Sequence, residues 1–296
     1  MLYTTFETKL IMSEGKIPVQ TTLNCRGRLL DLKRTVVMAV LNVSPDSFYH
    51  SLDFRQTDEV LKHADKAVKA GASILDIGGL STRPGSRQIA VEEEWERLEK
   101  PLQALEREFG GDIFISVDTY RAEVAKKAIH SGANIVNDIS GGLFDPLIWE
   151  VVAEERVPYV LMHNKAKPEV MVRHAKYDDL MAEIFAYFVN RLDMLRQKGI
   201  DDIVVDPGFG FSKTIQHNFT LLRQVETFLT LNRPVMIGIS RKSFMYKTLG
   251  VGPDDVLAVN TALHFKALES GASILRVHDV KEAVQCIEIF EAYQKA

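Results

Sequence analysis

The chain has 296 residues, 46% hydrophobic and 26% charged, which is typical of globular proteins and excludes disordered and collagenous chains. Its 36 basic and 40 acidic residues nearly balance, and no basic stripe is present, so nucleic acid is not expected as a partner. No apolar run approaches the roughly 20 residues that span a bilayer, and residues 1–16 lack the apolar core of a secretory signal. We therefore predict a cytoplasmic protein without a membrane partner. Cys25 and Cys286 have no metal or disulfide spacing and are predicted to be buried thiols.

In chain order, short apolar runs alternate with longer amphipathic segments. Residues 17–34, ahead of the first run, predict a hairpin around Arg26 and Gly27. Eight runs typical of buried strands follow, at 36–41, 73–78, 113–118, 134–138, 157–162, 203–206, 234–239 and 274–277. Amphipathic patterns predict helices over 57–71, 92–110, 121–131, 146–155, 177–198, 214–231, 254–270 and 279–294.

Apolar strands that alternate with helices predict a parallel sheet covered by those helices. A weak repeat at 70–79, 131–142 and 270–279 supports equivalent units, because each copy ends a helix with glycine and then begins a strand. A doubly wound sheet has similar loops and is the alternative, but eight strand–helix units favour a closed (β/α)8 TIM barrel. We predict one domain over 1–296, in which an N-terminal extension and hairpin (1–35) closes the bottom of a barrel (36–294).

The ends of the predicted strands are rich in side chains that can hydrogen-bond or carry charge. In a TIM barrel these ends meet at the face where active sites lie, and the opposite strand ends show nothing comparable. Any single one could cap a helix or brace a loop, but together they predict a site. The set is Asn42, Asp76, Asp118, Asn137, Asp138, His163, Asp206, Ser240, Arg241, Lys242, Arg276 and His278.

The residue types in this set predict a flat ring as one part of the ligand. A buried carboxylate needs charge-assisted partners, and the adjacent N–H donors of a 2-amino-4-oxo-pyrimidine ring would satisfy Asp118 or Asp206. Asn137 offers both a donor and an acceptor to the same ring edge, and Lys242 could donate to a ring carbonyl.

A second group of residues predicts phosphate as the other part. Arg276 and His278 alternate along an extended segment and so project to the same side, where Arg83 would complete a cationic corner. Asn42 is a candidate oxygen ligand for a Mg²⁺ ion that keeps waters and rides on the phosphates. A ring joined to a diphosphate is therefore the predicted substrate.

Seven stretches resemble the dihydropteroate synthases, in that family's order and at its spacing. They are LNVSPDSF (41–48), DIGGLSTRPG (76–85), SVDTYRAEVA (116–125), NDISGG (137–142), DPGFGFSK (206–213), GISRKSF (238–244) and RVHDV (276–280). The resemblance covers about residues 36 to 290. It implies a TIM barrel that condenses 6-hydroxymethyl-7,8-dihydropterin diphosphate with 4-aminobenzoate, giving dihydropteroate and diphosphate in folate biosynthesis. It also implies Mg²⁺ and a homodimer.

The resemblance implies a role for each matching residue. The pterin-binding set is Asp76, Asp118, Asn137, Asp206, Lys242 and Arg276, the last stacking on the ring. The diphosphate set is Asn42, Arg83, Arg276 and His278, with Asn42 as the metal ligand. The aminobenzoate set is Phe48, Thr82, Pro84, Phe211, Lys242 and Ser243. The residues expected to act in catalysis are Arg83, Lys242, Arg276 and His278.

The mechanism that the family implies is dissociative. The C–O bond to diphosphate breaks first, because the electron-rich dihydropterin delocalises the cation. The protein then has to stabilise the leaving group and position the amine, and a neutral aryl amine needs no strong base. The loop after Gly79 is expected to be mobile and to bring Thr82 and Arg83 over the phosphates.

Three loops depart from the family's pattern. Leu80 stands where the family usually has Glu, His50 and Ser51 stand where it commonly has glycines, and 162–168 read MHNKAKP instead of roughly Met-His-Met-Gln-Gly-x-Pro. None of the three touches the predicted pterin-binding set. Two alternatives stay open: a methyltetrahydrofolate-binding methyltransferase barrel, which would not need the phosphate corner, and a non-catalytic pterin-binding paralogue, which would release no diphosphate.

Overall fold

An antiparallel hairpin begins the part of the chain that the computed structural model describes, which comprises residues 19–43, 57–81 and 88–296. Its strands are β1 (Thr22–Cys25) and β2 (Arg28–Asp31). Arg26 and Gly27 join them with φ angles of 54° and 89°, the left-handed pair that a two-residue turn between twisted strands requires. The hairpin is therefore where the sequence predicts it.

Eight parallel strands follow and form one sheet that closes on itself. They are β3 (Val36–Asn42), β4 (Ile74–Gly78), β5 (Phe114–Asp118), β6 (Ile135–Asp138), β7 (Tyr159–Met162), β8 (Ile203–Asp206), β9 (Met236–Ile237) and β10 (Ile274–Val277). The spatial order runs from β3 to β8 along the chain, and β10 pairs with both β3 and β9. A parallel bridge between Val205 and Val235 joins β8 to the segment before β9 and completes the ring. The predicted TIM barrel is confirmed.

Helices cover the outside of the barrel. In the described ranges they are α1 (Thr57–Lys69), α2 (Val91–Phe109), α3 (Ala122–His130), α4 (Ile148–Glu155), α5 (Leu180–Gln197), α6 (Ile215–Arg223), α7 (Ser243–Leu249), α8 (Leu257–Glu269) and α9 (Val280–Lys295). Within those ranges, no helix is both long and apolar enough to cross a membrane.

Two helical predictions need correction. The helix predicted over 214–231 ends at Arg223, and a 3₁₀ helix (Val225–Leu231) continues the chain. Both helix types place residues i and i+3 near one another, so the apolar spacing does not separate them. The sequence also gave no sign of α7, because seven residues ending at the left-handed Gly250 are too short for a periodic pattern.

Apolar side chains fill the bottom of the barrel, where the hairpin acts as a plug. Leu23 and Leu30 of the hairpin pack against inward-facing strand residues such as Ile74. Arg28 donates to the carbonyls of Gly110 and Ile113, just beyond α2, and its guanidinium lies 4.6 Å from the centroid of the Phe114 ring. The hairpin thus closes the barrel and caps a neighbouring helix end.

A separate apolar cluster lies at the opposite end, where the loops leave the C-terminal ends of the strands. We call it the rim cluster; its members are Leu80, Ile89, Tyr120, Ile139, Phe144, Met162, Ala166, Met171 and Phe211. Apart from Met162, the last residue of β7, they come from the segments that follow β4, β5, β6, β7 and β8. One apolar contact surface therefore joins the loops of more than half of the barrel.

Candidate active site

Six polar side chains converge inside the mouth of the barrel, and we call them the charged floor. They are Asp76, Asp118, Asn137, Asp206, Lys242 and Arg276. Asp76 is entirely buried, and Asp118, Asn137 and Asp206 are each at most 6% exposed. The sequence placed all of them at strand ends, but Asp76 lies in the middle of β4, level with Ser116 and one layer below Asp118.

Arg276 holds the charged floor together. Its Nε donates to Asp76 Oδ2 and its Nη2 to Asp118 Oδ2, each at 2.7 Å. Asn137 Nδ2 donates to the same oxygen of Asp76 at 2.9 Å. Burial alone would lower the pKa of Arg276, but the carboxylates of Asp76 and Asp118 raise it above its usual range. The guanidinium is therefore permanently charged and pairs with two buried acids.

Three buried oxygens around this ion pair have no hydrogen-bond donor among the described residues. They are Asp76 Oδ1, Asp118 Oδ1 and Ser116 Oγ. A buried acceptor without a donor is costly, typically about 1–3 kcal/mol. Burial raises the pKa of Asp118 to about 7 although Arg276 opposes the shift. These oxygens form an acceptor surface that suits the N–H groups of a ligand.

Asp206 and Lys242 bound the floor on its other side. Asp206 Oδ1 accepts from the Gly208 amide at 2.7 Å, and burial raises the pKa of this carboxyl. Lys242 Nζ donates to the Phe209 carbonyl at 2.6 Å and lies 4.3 Å from the centroid of the Phe211 ring. Burial lowers the pKa of Lys242 to about 8 while Asp206 opposes the shift. The ammonium thus donates to a carbonyl and lies over an aromatic face, and the Asp206 charge favours its protonated form.

The predicted phosphate corner contains His278 beside Arg276, but its charge differs from the expectation. Ser240 Oγ lies 3.2 Å from both the amide nitrogen and Nδ1 of His278. Burial, helped by the Arg276 charge, lowers the pKa of His278 to about 3. The ring is therefore neutral at neutral pH and could donate one N–H to a phosphate, but it contributes no positive charge.

Several predicted site residues stand apart from the floor or outside the described residues. Asn42 ends β3, and Ser243 begins α7 directly after Lys242, so both lie at the mouth. Phe48, His50, Thr82, Arg83 and Pro84 lie outside the described residues, and so does the loop expected to be mobile from residue 82 onward. In the described part of the chain, no group of three His, Cys, Asp or Glu residues is placed to hold a metal ion.

Three members of the predicted set brace the structure instead of joining the floor. Asp138 accepts from the Tyr159 hydroxyl at 2.6 Å and from the amides of Ser140 and Gly142. Arg241 pairs with Asp279 and Asp254. His163 points outward, where it packs on Tyr187 and Phe188, and burial lowers its pKa well below the usual value. Side chains alternate along a strand, which explains why His163, directly after the inward-facing Met162, points away from the mouth.

Sequence reasoning missed Glu94 as a polar residue of this region. Glu94 on α2 is fully buried; it accepts from Thr119 Oγ1 at 2.7 Å and pairs with Arg121 Nη1 at 3.0 Å. Burial raises the pKa of Glu94 to about 7. It follows two other glutamates at the start of a helix, so the pattern alone gave no reason to single it out.

The surroundings of Leu80 explain one of the departures from the family's pattern. It is 9% exposed and belongs to the rim cluster together with Phe211, which the resemblance assigns to the aminobenzoate side. A leucine fits this position because its neighbours are apolar. The departure is therefore accommodated by packing.

Comparisons with known proteins agree with this geometry. A family model described as "Pterin binding enzyme" matches residues 38–278. The dihydropteroate synthase of Escherichia coli is 40% identical over 272 residues, which cover 91% of this chain and 95% of that protein. The dihydropteroate synthase of a Synechocystis strain is 42% identical over 279 residues, covering 93% and 94% respectively.

Solved structures show the same similarity in three dimensions. Yersinia pestis dihydropteroate synthase in complex with a sulfonamide drug matches with a TM-score of 0.89 at 39% identity, over 93% of this chain and 100% of that one. Xanthomonas albilineans dihydropteroate synthase with 4-aminobenzoic acid matches with a TM-score of 0.86 at 36% identity, over 94% and 100%.

Proposed function

The chain belongs to the dihydropteroate synthase family of pterin-binding enzymes, and on that premise we propose how its residues perform the family's reaction. It condenses 6-hydroxymethyl-7,8-dihydropterin diphosphate with 4-aminobenzoate to give dihydropteroate and diphosphate, a transferase step in folate biosynthesis. The assignment of the reaction to this site rests on one observation. Two buried oxygens beside Arg276, Asp76 Oδ1 and Asp118 Oδ1, have no hydrogen-bond donor among the described residues.

The pterin ring binds on the charged floor. Its 2-amino and ring N–H groups donate to the free oxygens of Asp118 and Asp76, so Arg276 can keep its own bonds to the other oxygens. Asn137 and Asp206 complete the edge, and Lys242 donates to the ring carbonyl. These contacts match the buried polar groups of the floor to hydrogen-bonding groups at fixed positions on the ring. They therefore orient the reacting carbon as well as bind the ring.

The diphosphate lies beyond the ring, towards β10 and β3. Arg276 supplies the positive charge and the neutral ring of His278 supplies an N–H donor, while the resemblance adds Arg83. Asn42 offers a single amide oxygen, a hard donor that suits a Mg²⁺ ion held mainly by phosphates and water. Such an ion would neutralise charge on the leaving diphosphate.

4-Aminobenzoate enters over the rim cluster. Phe211 presents its ring beside Lys242, whose ammonium attracts the carboxylate, and Ser243 at the start of α7 offers a further donor. The C–O bond to diphosphate breaks first and its electron pair leaves with the diphosphate; the neutral amine then attacks the pterin cation, forms the new C–N bond and loses a proton to solvent. The protein's contribution is to stabilise the leaving group and to hold the amine in line.

We also propose a homodimer located in the cytoplasm. Large apolar side chains near the last helices are exposed and could be covered by a second copy: Leu249, Val251, Leu257, Ile289 and Tyr293. Cys25 and Cys286 are both buried and free, which agrees with a reducing compartment.

The test of the function follows both products. The protein is mixed with Mg²⁺ and the pterin diphosphate, 4-aminobenzoate is added, and diphosphate and dihydropteroate are quantified. We expect stoichiometric formation of both, dependent on 4-aminobenzoate. Pterin binding without any product that depends on 4-aminobenzoate would contradict the proposal and favour the non-catalytic paralogue. The methyltransferase alternative predicts transfer of a methyl group from methyltetrahydrofolate instead, and the dihydropteroate synthase relatives already disfavour it.

A further inference from the structure

One lysine that no role above uses lies at the centre of the loop between β8 and α6. Lys213 Nζ is 2.9 Å from the carbonyl oxygen of Gly208, 3.1 Å from that of Phe211 and 3.4 Å from that of His163. It is also 3.0 Å from His163 Nδ1. Lys213 has no carboxylate within ion-pair distance among these contacts, so its ammonium serves as a donor to backbone oxygens. Burial lowers the pKa of Lys213 to about 7.

The backbone of this loop explains why so many carbonyls meet at one point. Gly208, Gly210 and Ser212 have φ angles of 74°, 80° and 46°, three left-handed residues within five positions. A Cβ on Gly208 would clash with the His163 carbonyl oxygen, and one on Gly210 would lie 2.8 Å from Lys242 Cδ. The alternating left-handed turns point successive carbonyls inward, where a donor with several hydrogens is needed to satisfy them.

A second contact joins the same loop to the segment after β7. Ser212 Oγ donates to Asn164 Oδ1 at 2.8 Å, and both residues are at most 3% exposed. The Tyr177 hydroxyl donates to the Ser212 carbonyl at 3.0 Å. Asn164 lies within MHNKAKP, the stretch in which this chain departs from the family's pattern. Lys213 and Ser212 thus tie the β8 loop to the β7 loop at two adjacent points.

The tied loop carries two groups that the proposed reaction uses. The Phe209 carbonyl accepts from Lys242 Nζ, and the Phe211 ring lies under the same ammonium. If the loop moved, the anchor of Lys242 and the aromatic wall beside it would move together. Asp118 and Arg276 of the floor pair with each other on β5 and β10, away from this loop, whereas Asp206 adjoins it through the Gly208 amide.

We propose that Lys213 is a positioning residue for the aryl amine step: by holding the carbonyls of Gly208 and Phe211 against the end of β7, it fixes Phe211 and the anchor of Lys242 where 4-aminobenzoate has to bind. This inference rests on the proposed function. It weighs more on the aryl amine than on the pterin, because Asp76, Asp118, Asn137 and Arg276 lie on strands away from the tied loop, whereas Asp206 and Lys242 adjoin it.

The experiment compares Lys213→Met with Arg28→Met, a matched control that removes a comparable cluster of carbonyl contacts at the bottom of the barrel. Steady-state kinetics give KM and kcat for 4-aminobenzoate, and calorimetry gives the Kd of the pterin diphosphate. A displacement of about 1 Å in the groups that position a substrate can cost on the order of 100-fold in rate. Because Phe211 and Lys242 would contact 4-aminobenzoate itself, we expect their displacement in Lys213→Met to raise its KM about tenfold or more. We expect the pterin Kd to weaken clearly less than that KM rises, because only Asp206 and Lys242 of the charged floor adjoin the loop, and both constants to stay within about threefold in Arg28→Met.

Hydrogen exchange provides a readout that does not depend on turnover. The amides of Gly208 and Gly210 donate to Asp206 and Asn218, so they should be protected in the wild-type chain. We expect Lys213→Met to lose this protection over 207–213 and to keep it in the floor strands. Ser212→Ala, which removes only the Asn164 bond, should shift KM in the same direction by about threefold and keeps the test decisive if Lys213→Met does not fold.

The outcomes are distinguishable. A KM for 4-aminobenzoate in Lys213→Met that matches Arg28→Met, or a pterin Kd that weakens as much as that KM rises, would overturn the positioning role while leaving the synthase assignment intact. Unchanged exchange over 207–213 would overturn it as well. A wild-type chain that forms no dihydropteroate would overturn both the proposed function and the inference that rests on it.

Discussion

The charged floor and the rim cluster share the mouth of one barrel, yet they are held in place in different ways. Asp76, Asp118 and Arg276 of the floor lie on strands, where the hydrogen-bonded sheet fixes their backbone. The rim cluster, including Leu80 and Phe211, lies mostly on the segments that follow the strands and is held by side-chain packing. A rigid floor can position charges that a reaction needs, while packed loops can change residue by residue without disturbing it.

The two departures from the family's pattern that lie among the described residues fall outside the floor. Leu80 belongs to the rim cluster, and Asn164 lies in the loop that follows β7. The residues matched to the pterin-binding set all lie in the floor. We therefore assign binding of the pterin diphosphate to the floor and selection of the aryl amine to the rim cluster. Each of the following changes alters either the floor or the rim cluster.

The largest effect is expected from Arg276→Met, which breaks the floor. It leaves the carboxylates of Asp76 and Asp118 buried without their counter-charge, so the free energy of unfolding should fall by about 3 kcal/mol. Affinity for the pterin diphosphate should fall on the order of 100-fold, and affinity for the same pterin without phosphates should fall less. Urea unfolding and calorimetry with both ligands measure these effects. Equal losses for the two ligands would contradict a role for Arg276 at the phosphates.

A change of pH is expected to have a smaller effect on the affinity of the floor for the pterin. Burial raises the pKa of Asp118 to about 7, so in the free protein a large fraction of this carboxyl is protonated at pH 6 and most is ionised at pH 8. Ring N–H groups bind the ionised form, so affinity for a dihydropterin should rise from pH 6 to pH 8, with proton release on binding at pH 6. Calorimetry in two buffers of different ionisation enthalpy measures that release.

Two variants identify the group responsible for the pH dependence. Asp118→Asn should remove both the dependence and the proton release. Glu94→Gln should retain them, although burial raises the pKa of Glu94 to about 7 as well, because Glu94 faces Thr119 and Arg121 and is not a member of the floor. Retention of the pH dependence in Asp118→Asn would show that another group titrates.

The smallest effect on the pterin is expected from Leu80→Ala, which opens the rim cluster. Removing a buried leucine side chain should lower the free energy of unfolding by about 2 kcal/mol. KM for 4-aminobenzoate should rise about threefold, whereas the Kd of the pterin diphosphate should stay unchanged. Leu30→Ala, at the bottom plug, is the matched control: it should cost similar stability and change neither constant. A shift of the pterin Kd in Leu80→Ala would remove the distinction between floor and rim.

The sequence predicted the barrel well for a physical reason. Parallel strands are buried on both faces and therefore appear as continuous apolar runs, and each run ends where a polar side chain meets the mouth. The floor followed from this rule because Asp118 and Asp206 end their strands and Asn137 lies one residue before the end of its strand. It could not show that Asp76 lies one layer deeper, because that depends on the register between β4 and β5.

The features that sequence reasoning missed depend on three-dimensional contacts. Lys213 reads as one more lysine after a glycine-rich stretch, and only the folded loop shows three carbonyls around its ammonium. The neutral state of His278 likewise follows from its burial beside Arg276, which residue type alone does not reveal. Local spacing predicts elements and strand ends, but it does not predict which loops touch.

Binding of the pterin diphosphate to Asp206→Asn tests the central claim most directly. Asp206 lies at the end of β8; an amide there can keep the bond from the Gly208 amide, so the fold should survive while the charged acceptor is lost. The account predicts a loss of about 2 kcal/mol in the free energy of pterin binding, measured by titration calorimetry against the wild-type chain, with an unchanged midpoint of thermal unfolding as the control. Wild-type affinity in a correctly folded Asp206→Asn protein would contradict the assignment of the charged floor to the pterin.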